Sequence, residues 1–314
     1  MMLFKKLLFL KVPFVTLLFC FLSLTTTQAK ELISKHCDPL VENQSSTEDV
    51  RHSKGLLWKI SKDNKETSYL FGTIHVSDTE ITTLPDVVDK ALHESDQFVM
   101  EALPDVEQML SLSAMMFFSD GQRLSEFIDT PIYNKTTEIL SSYQLGPDAV
   151  SVMKPWAAFL LMNYPPDQGE PLDLVLLSLA QQNGAIVAGL ESLKEQGEIF
   201  NQLSLDEQVI LLTDTVCHYD VVEEDFTIMK SLYLKRDLGG LYSHSQRYTV
   251  IDKPVYKRLM QRLIVDRNNT MVERMQPMLE KGNSFIAIGA MHLTGEEGVL
   301  ALLEKRGYSV SAIF

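Results

Sequence analysis

The chain has 314 residues, with 28 Lys and Arg against 42 Asp and Glu, and a formal net charge of −14 at neutral pH. An acidic chain with no basic cluster excludes the electrostatics of nucleic-acid binding and of docking on anionic membrane surfaces. The length suits one large domain, or a core with an insertion, and can bury a substantial hydrophobic interior.

Residues 1–29 carry the pattern of a signal peptide. Lys5 and Lys6 form a basic start, Val12 to Leu24 is largely apolar, and Thr27-Gln28-Ala29 supplies small residues for cleavage after Ala29. Lys11 and Pro13 cut the apolar run below the roughly 18 residues that a spanning helix needs. The residues before Cys20 make a poor lipobox. The expectation is therefore a periplasmic or secreted protein with no stable membrane anchor. Losing residues 1–29 removes three lysines and no acid, so the net charge moves from −14 to −17. Cys37 and Cys217 remain, either as one disulfide tying an N-terminal arm to a helix or as two buried free thiols.

Residues 30–54 are polar and aperiodic, which predicts an extended arm. Gly55–Ser61 and Thr67–Phe71 are strand-like runs around a polar turn, a hairpin pattern. Gly72-Thr-Ile-His75 ends the second strand. A helix then opens at Leu84-Pro85-Asp86, with Val87, Val88, Ala91 and Leu92 on its apolar face. Gln97–Glu101 is the next strand, so strand, helix and strand form a βαβ unit with parallel strands. Helices are predicted over Val106–Phe118, Tyr133–Tyr143, Ala149–Tyr164, Leu172–Gln182, Leu193–Leu203, Ser204–Lys235 and Pro254–Glu280, with one further strand at Ile186–Leu190. Ser204-Leu-Asp-Glu207 has the form of a capping box, and the methionines between Met109 and Met116 are read as core packing. The C-terminal end repeats the opening plan: strand Phe285–Ile288, Gly289-Ala-Met-His292, helix Glu296–Lys305 stopped by Gly307, and strand Tyr308–Phe314. The expected fold is α/β, a mixed central sheet built from two strand-Gly-x-x-His-helix-strand units at the chain's two ends. A large, mainly helical insertion over about 104–280 separates them within a single domain, 55–314.

Two short apolar strands that each stop at Gly-x-x-His carry the chemistry. Ligands of parallel α/β sheets gather outside the carboxyl ends of the strands, where His75 and His292 both sit. Glu101 closes the strand after the first helix and should reach the same edge, an unusual end for an apolar strand unless the carboxylate has a task. Two imidazoles and a carboxylate with open positions suit iron, manganese, cobalt or zinc. The other histidines (His36, His52, His93, His218, His244) lack this context and are read mostly as solvated. Glu191 and Gln196 follow a strand end. Asp266-Arg267-Asn268-Asn269 interrupts an apolar helical face, and each spot is as compatible with capping or a salt bridge as with the site. Arg267 could clamp a carboxylate or a developing oxyanion. There is no His-Glu-x-x-His, Gly-x-Ser-x-Gly or phosphate-binding glycine loop.

At these residues the chain resembles the TraB/GumN family. The matching pieces are Leu-Trp-Lys-Ile, Tyr-Leu-Phe-Gly-Thr-Ile-His, the Leu-Pro before the first helix, the Glu101 strand, Gly-Leu-Glu-Ser-x-x-Glu-Gln and Asp-Arg-Asn. The most specific is the C-terminal Gly-Ala-Met-His-Leu-x-Gly-x-x-Gly-Val-Leu. They span about residue 55 to the C-terminus. Ser192 stands where Thr is more usual, and Met291 is larger than the common residue. The resemblance implies an α/β fold related to erythromycin esterases and haem-binding ChaN proteins, and kinship with the Tiki proteins, which look like metal-dependent proteases. On that basis His75, Glu101 and His292 correspond to the metal or catalytic set, holding Mn2+, Co2+ or Zn2+, with Arg267 in support. The leading expectation is an exported hydrolase of a peptide or amide bond, acting on a peptide or small-molecule substrate. Its alternatives are a cation-free esterase with His75 as base and Glu101 orienting it, a non-catalytic peptide or small-ligand binder resembling pheromone-shutdown factors, and a cell-envelope assembly factor.

Overall fold

The computed structural model describes residues 37–43, 50–62, 65–166 and 169–314. The proposed signal peptide and His36 lie outside them. The described strands form a six-stranded mixed sheet. In chain order they are β1 (Leu57–Ser61), β2 (Ser68–Thr73), β3 (Gln97–Ala102), β4 (Ile186–Glu191), β5 (Ser284–Gly289) and β6 (Ser309–Ala312). Their spatial order is β4-β3-β5-β2-β1-β6. β2, β5, β3 and β4 run parallel, while β1 is antiparallel to both β2 and β6.

The predicted β2-helix-β3 unit is present, with helix α1 at Asp86–His93, and its strands run parallel. They are not neighbours, however, because β5 from the far end of the chain lies between them. Phe285, Ile286, Ala287 and Ile288 are all buried, and a strand apolar on both faces belongs in the middle of a sheet. This insertion brings Gly289 level with Thr73 on one side and sets β3 against the other. Within α1, Val88, Ala91 and Leu92 are buried, but Val87 faces solvent.

Of the helices between β3 and β5, those holding residues 124–162, 200–219 and 255–259 form a second core around Trp156, which stacks on Phe200 with ring centroids 5.9 Å apart, while others, with Leu176, Leu238 and Met271, pack on the sheet. The helix at Leu172–Gln182 has its expected bounds, but the three longest predicted helices are divided, and the breaks have local causes. The predicted Ala149–Tyr164 helix splits before Pro155, where a helix-interior proline would lack its hydrogen bond. Ser204–Lys235 splits at His218 into Leu205–Cys217 and Tyr219–Leu234, and the Ser204–Glu207 capping box caps the first piece. The methionine-bearing helix α2 (Val106–Met115) buries none of its residues. Met109 is 55% exposed and Leu110 66%, so the core reading is corrected for those two, whereas Leu112, Met115 and Met116 are half-buried against the second core. The last long helix divides into Pro254–Met260, a π-helical segment at Gln261–Asp266, Arg267–Arg274 and Gln276–Lys281. The final helix starts at Val299 and ends before Gly307, whose φ of +84° suits glycine.

The N-terminal arm is tied down twice. Cys37 and Cys217 form a disulfide with Cα atoms 5.6 Å apart, and Val41 and Asn43 exchange backbone hydrogen bonds with Thr249 and Arg247. Among the described residues no helix is long and apolar enough to cross a membrane.

Candidate functional site

The carboxyl ends of β2, β3, β4 and β5 meet at one edge of the sheet, and both glycine motifs close there. A Cβ on Gly72 would lie 2.7 Å from Leu293 Cδ1 and 3.2 Å from Ala290 Cα, so glycine lets the first motif's strand lie against the second motif's turn. After Gly289 the chain turns through a short 3-10 segment, Ala290–His292, which buries the second imidazole.

The two imidazoles are held in different ways. His75 Nδ1 donates to Asp173 Oδ2 at 2.7 Å, and the Thr73 hydroxyl donates to Asp173 Oδ1 at 2.7 Å. Burial works against a cation here, but the Asp173 carboxylate overrides it and raises His75 to about 9. The His75 side chain is 42% exposed, so water tempers both effects. His292 is buried. The Arg267 guanidinium donates from Nη1 to His292 Nε2 at 3.1 Å, so that nitrogen carries the lone pair. Nδ1 therefore carries the proton and donates to Asn268 Oδ1 at 2.7 Å. The Asn268 amide is oriented by its own Nδ2, which donates to the Glu297 carbonyl at 2.8 Å. Burial, with the nearby Arg267 and His75 charges, lowers His292 to about 4 and keeps it neutral.

Glu101, the penultimate residue of β3, is buried. Its Oε1 accepts the Gly289 N–H at 2.6 Å, and its Oε2 accepts Arg267 Nη2 at 2.6 Å. Burial alone would raise the carboxyl, but His292, Arg267, His75 and the Gly289 N–H together lower it to about 2. Arg267 also grips Glu191, with Nε at 3.0 and 3.2 Å from the two carboxylate oxygens and Nη2 at 2.7 Å from one. Gln196 Nε2 stands 3.3 Å from both Glu101 Oε2 and Glu191 Oε2. The π-helical segment ends immediately before Arg267, and such a widened turn shifts the residues that follow it, a device common at functional sites.

Glu101, His292 and Arg267 thus form one hydrogen-bonded group, which also takes in Glu191 and Gln196. His75 joins it electrostatically, through the charges of Glu101 and Arg267. Asp173 was not among the expected site residues. Its only signal is an acid inside the apolar run Pro171-Leu-Asp-Leu-Val-Leu-Leu, easily taken for a first-turn helix acid. Asp173, not Glu101, orients His75. Among the remaining histidines the solvated reading is corrected for three. His52 bonds Glu304, His244 bonds Asp225, and His218 bonds the Asp38 and Asp214 carbonyls.

The match to a family model described as the TraB/PrgY/gumN family covers residues 56–312. The chain belongs to that family. Among curated TraB/PrgY/gumN relatives it is 23% identical to Metalloprotease TIKI2 of Danio rerio over 312 residues, which cover 81% of this chain and 60% of the relative. It is 24% identical to Metalloprotease TIKI1 of Homo sapiens over 311 residues, 81% of this chain and 61% of the relative. The Metalloprotease TIKI homolog of Amphimedon queenslandica is 22% identical over 316 residues, 82% and 61%. The chain therefore spans about three-fifths of the length of these relatives. No solved structure matches it.

The donor chemistry of this TraB/PrgY/gumN site fits a divalent cation. Each imidazole has Nδ1 held by an oxygen, Asp173 or Asn268, which orients the ring; Nε2 carries the lone pair on His292, whereas on His75 it must first give up its proton to take a ligand. Glu101 adds an ionised carboxylate. No three His, Cys, Asp or Glu side chains among the described residues already stand in a metal-holding cluster. His292 Nε2 and Glu101 Oε1 are 3.7 Å apart, and the Arg267 guanidinium bonds both side chains.

Proposed function

We propose that this protein is an exported, metal-dependent hydrolase that cleaves a peptide or amide bond. His75, Glu101 and His292 would hold Mn2+, Co2+ or Zn2+. The observation that carries the proposal is the pairing of two histidines, 75 and 292, whose Nδ1 atoms are each anchored on an oxygen, with an ionised Glu101 carboxylate on β3, the strand beside the one that leads to His292. Kinship with proteins named metalloproteases supports it, as does the disulfide, which suits an oxidising compartment.

A bound divalent cation supplies Lewis acidity and lowers the pKa of water. The chain's own residues do the rest. Asn268 keeps the His292 proton on Nδ1 and its lone pair on Nε2. Asp173 keeps a proton on His75 Nδ1, so any proton lost or gained by that ring moves at Nε2. Arg267 has five N–H donors in a fixed fork and, with its side chain only 11% exposed, can neutralise carboxylate or oxyanion charge.

One observation favours a second reading. Arg267 already pairs with both buried carboxylates, and His75 with Asp173 forms an acid–base pair, an arrangement able to hydrolyse without a metal. Cleavage of peptide libraries by the purified protein, followed by mass spectrometry, separates the two. The metal-dependent reading expects cleavage that chelator abolishes, Mn2+, Co2+ or Zn2+ restores, and His75→Ala or Glu101→Gln removes. Chelator-insensitive cleavage supports the second reading, and saturable peptide binding without turnover contradicts both.

A further inference from the structure

The position of Arg267 bears on how a cation enters. Its guanidinium is almost wholly withdrawn from solvent, with the side chain 11% exposed, yet it is not a peripheral ion pair. It bonds Glu101 Oε2 and His292 Nε2, two of the donor atoms that the proposed metal set offers. On its other edge it makes three contacts with Glu191, and its Nη1 also reaches the Leu263 carbonyl at 3.4 Å.

We propose that Arg267 is the site's resident cation, that a divalent metal binds by displacing its guanidinium from Glu101 and His292, and that Glu191 is the positioning residue that retains it. The inference rests on the metal-dependent reading above. Three physical points support it. First, a lone pair on His292 Nε2 can serve Arg267 or a metal but not both. Second, a guanidinium and a divalent cation on one carboxylate would be like charges a few ångströms apart in a buried site, which is costly there. Third, the contacts divide cleanly: Nε and Nη2 can stay on Glu191 while Nη1 and the second bond of Nη2 are given up. Two buried carboxylates without any cation would be strongly destabilising, which explains why a metal-binding site would carry its own counter-charge. Displacing charge-assisted hydrogen bonds must weaken the metal's apparent affinity.

Calorimetric titration of Mn2+, Co2+ and Zn2+ into the metal-free protein tests this in wild type and Arg267→Ala. The variant is expected to bind metal about tenfold to a hundredfold more tightly, the equivalent of one or two charge-assisted hydrogen bonds no longer broken. Without metal it should melt below wild type, and metal should raise its melting temperature further than it raises wild type's. Millimolar guanidinium, far below denaturing concentrations, should fill the vacated position, raise the melting temperature of the metal-free variant and compete with metal in the variant alone. Equal or weaker metal binding by Arg267→Ala, or indifference to guanidinium, would overturn the proposal while leaving the metal-dependent reading intact. Absence of metal binding in wild type and variant alike would overturn both. If Arg267→Ala does not fold, Arg267→Lys keeps a charge that cannot fork across Glu101, Glu191 and His292, and should tighten binding to a smaller degree. No tightening there is equally fatal.

Discussion

The two Gly-x-x-His motifs match in sequence and sit on adjacent parallel strands, but they deliver histidines of opposite character. His75 opens to solvent, rests on the Asp173 carboxylate and is held protonated to about pH 9. His292 is buried, rests on the Asn268 amide and stays neutral down to about pH 4. The motif fixes where each ring stands, and the oxygen behind Nδ1, charged in one case and neutral in the other, fixes what it does. Roles assigned from the duplicated motif alone would treat the two as equivalent. The structure makes His292 a ready lone-pair donor and His75 a proton carrier until a ligand claims it.

Exchanging the oxygen partners should have the largest effect. Asp173→Asn removes the carboxylate that outweighs burial, so the His75 titration should fall by about two pH units or more. Asn268→Asp should raise His292 in the same manner. Ring-proton NMR titrations check both, and a His75 midpoint unmoved by Asp173→Asn would break the comparison.

Stability should next show opposite pH limbs. Between about pH 4 and 6.5 the unfolded His292 binds a proton that the folded ring refuses, so stability rises with pH there, by up to about 3 kcal/mol. Above 6.5 the folded His75 keeps a proton that the unfolded ring has lost, so its contribution is fully present below 6.5 and fades as pH rises through about 9. Solvent exposure makes this second limb the shallower one. Denaturation of wild type against His292→Gln and His75→Gln should flatten the acid and alkaline limbs respectively, and a limb unchanged by its own substitution contradicts the assignment.

The motif glycines should give the smallest effects. Gly72→Ala must push back Leu293 and press on the Ala290 backbone, at about 1 kcal/mol or somewhat more of stability. Gly289→Ala meets Glu101 Oε1 at 3.1 Å, so it should cost less stability but weaken divalent-metal binding. Thermal melts and metal titrations of the two variants, read together, check that split. The reverse pattern would mean that the glycines serve packing alone.

Much of this edge is legible in the sequence because it is punctuated locally. Apolar runs stop at glycine, His75 and His292 follow at fixed spacing, and Glu101 is an acid at the end of a buried strand. The order of the strands is not legible, since β2, β3 and β5 are all buried on both faces and pattern alone does not say which lies between the other two. Asp173 hid because a helix's first turn ordinarily welcomes an acid. Asn268 stands in a legible polar interruption, but only the π-helical turn before it shows which face it presents. Met109 and Met115 of α2 divide for a related reason: periodicity gives a shared face without saying how much of it is covered, and only the later turns meet the second core.

Equilibrium dialysis with saturating Mn2+, Co2+ or Zn2+ tests the central claim most directly, applied to wild type, His75→Ala and His292→Ala. The account predicts a single bound equivalent in wild type and its loss in both variants, each still folded by its melting profile. Wild type without metal above background, or binding that survives in both variants, would contradict it.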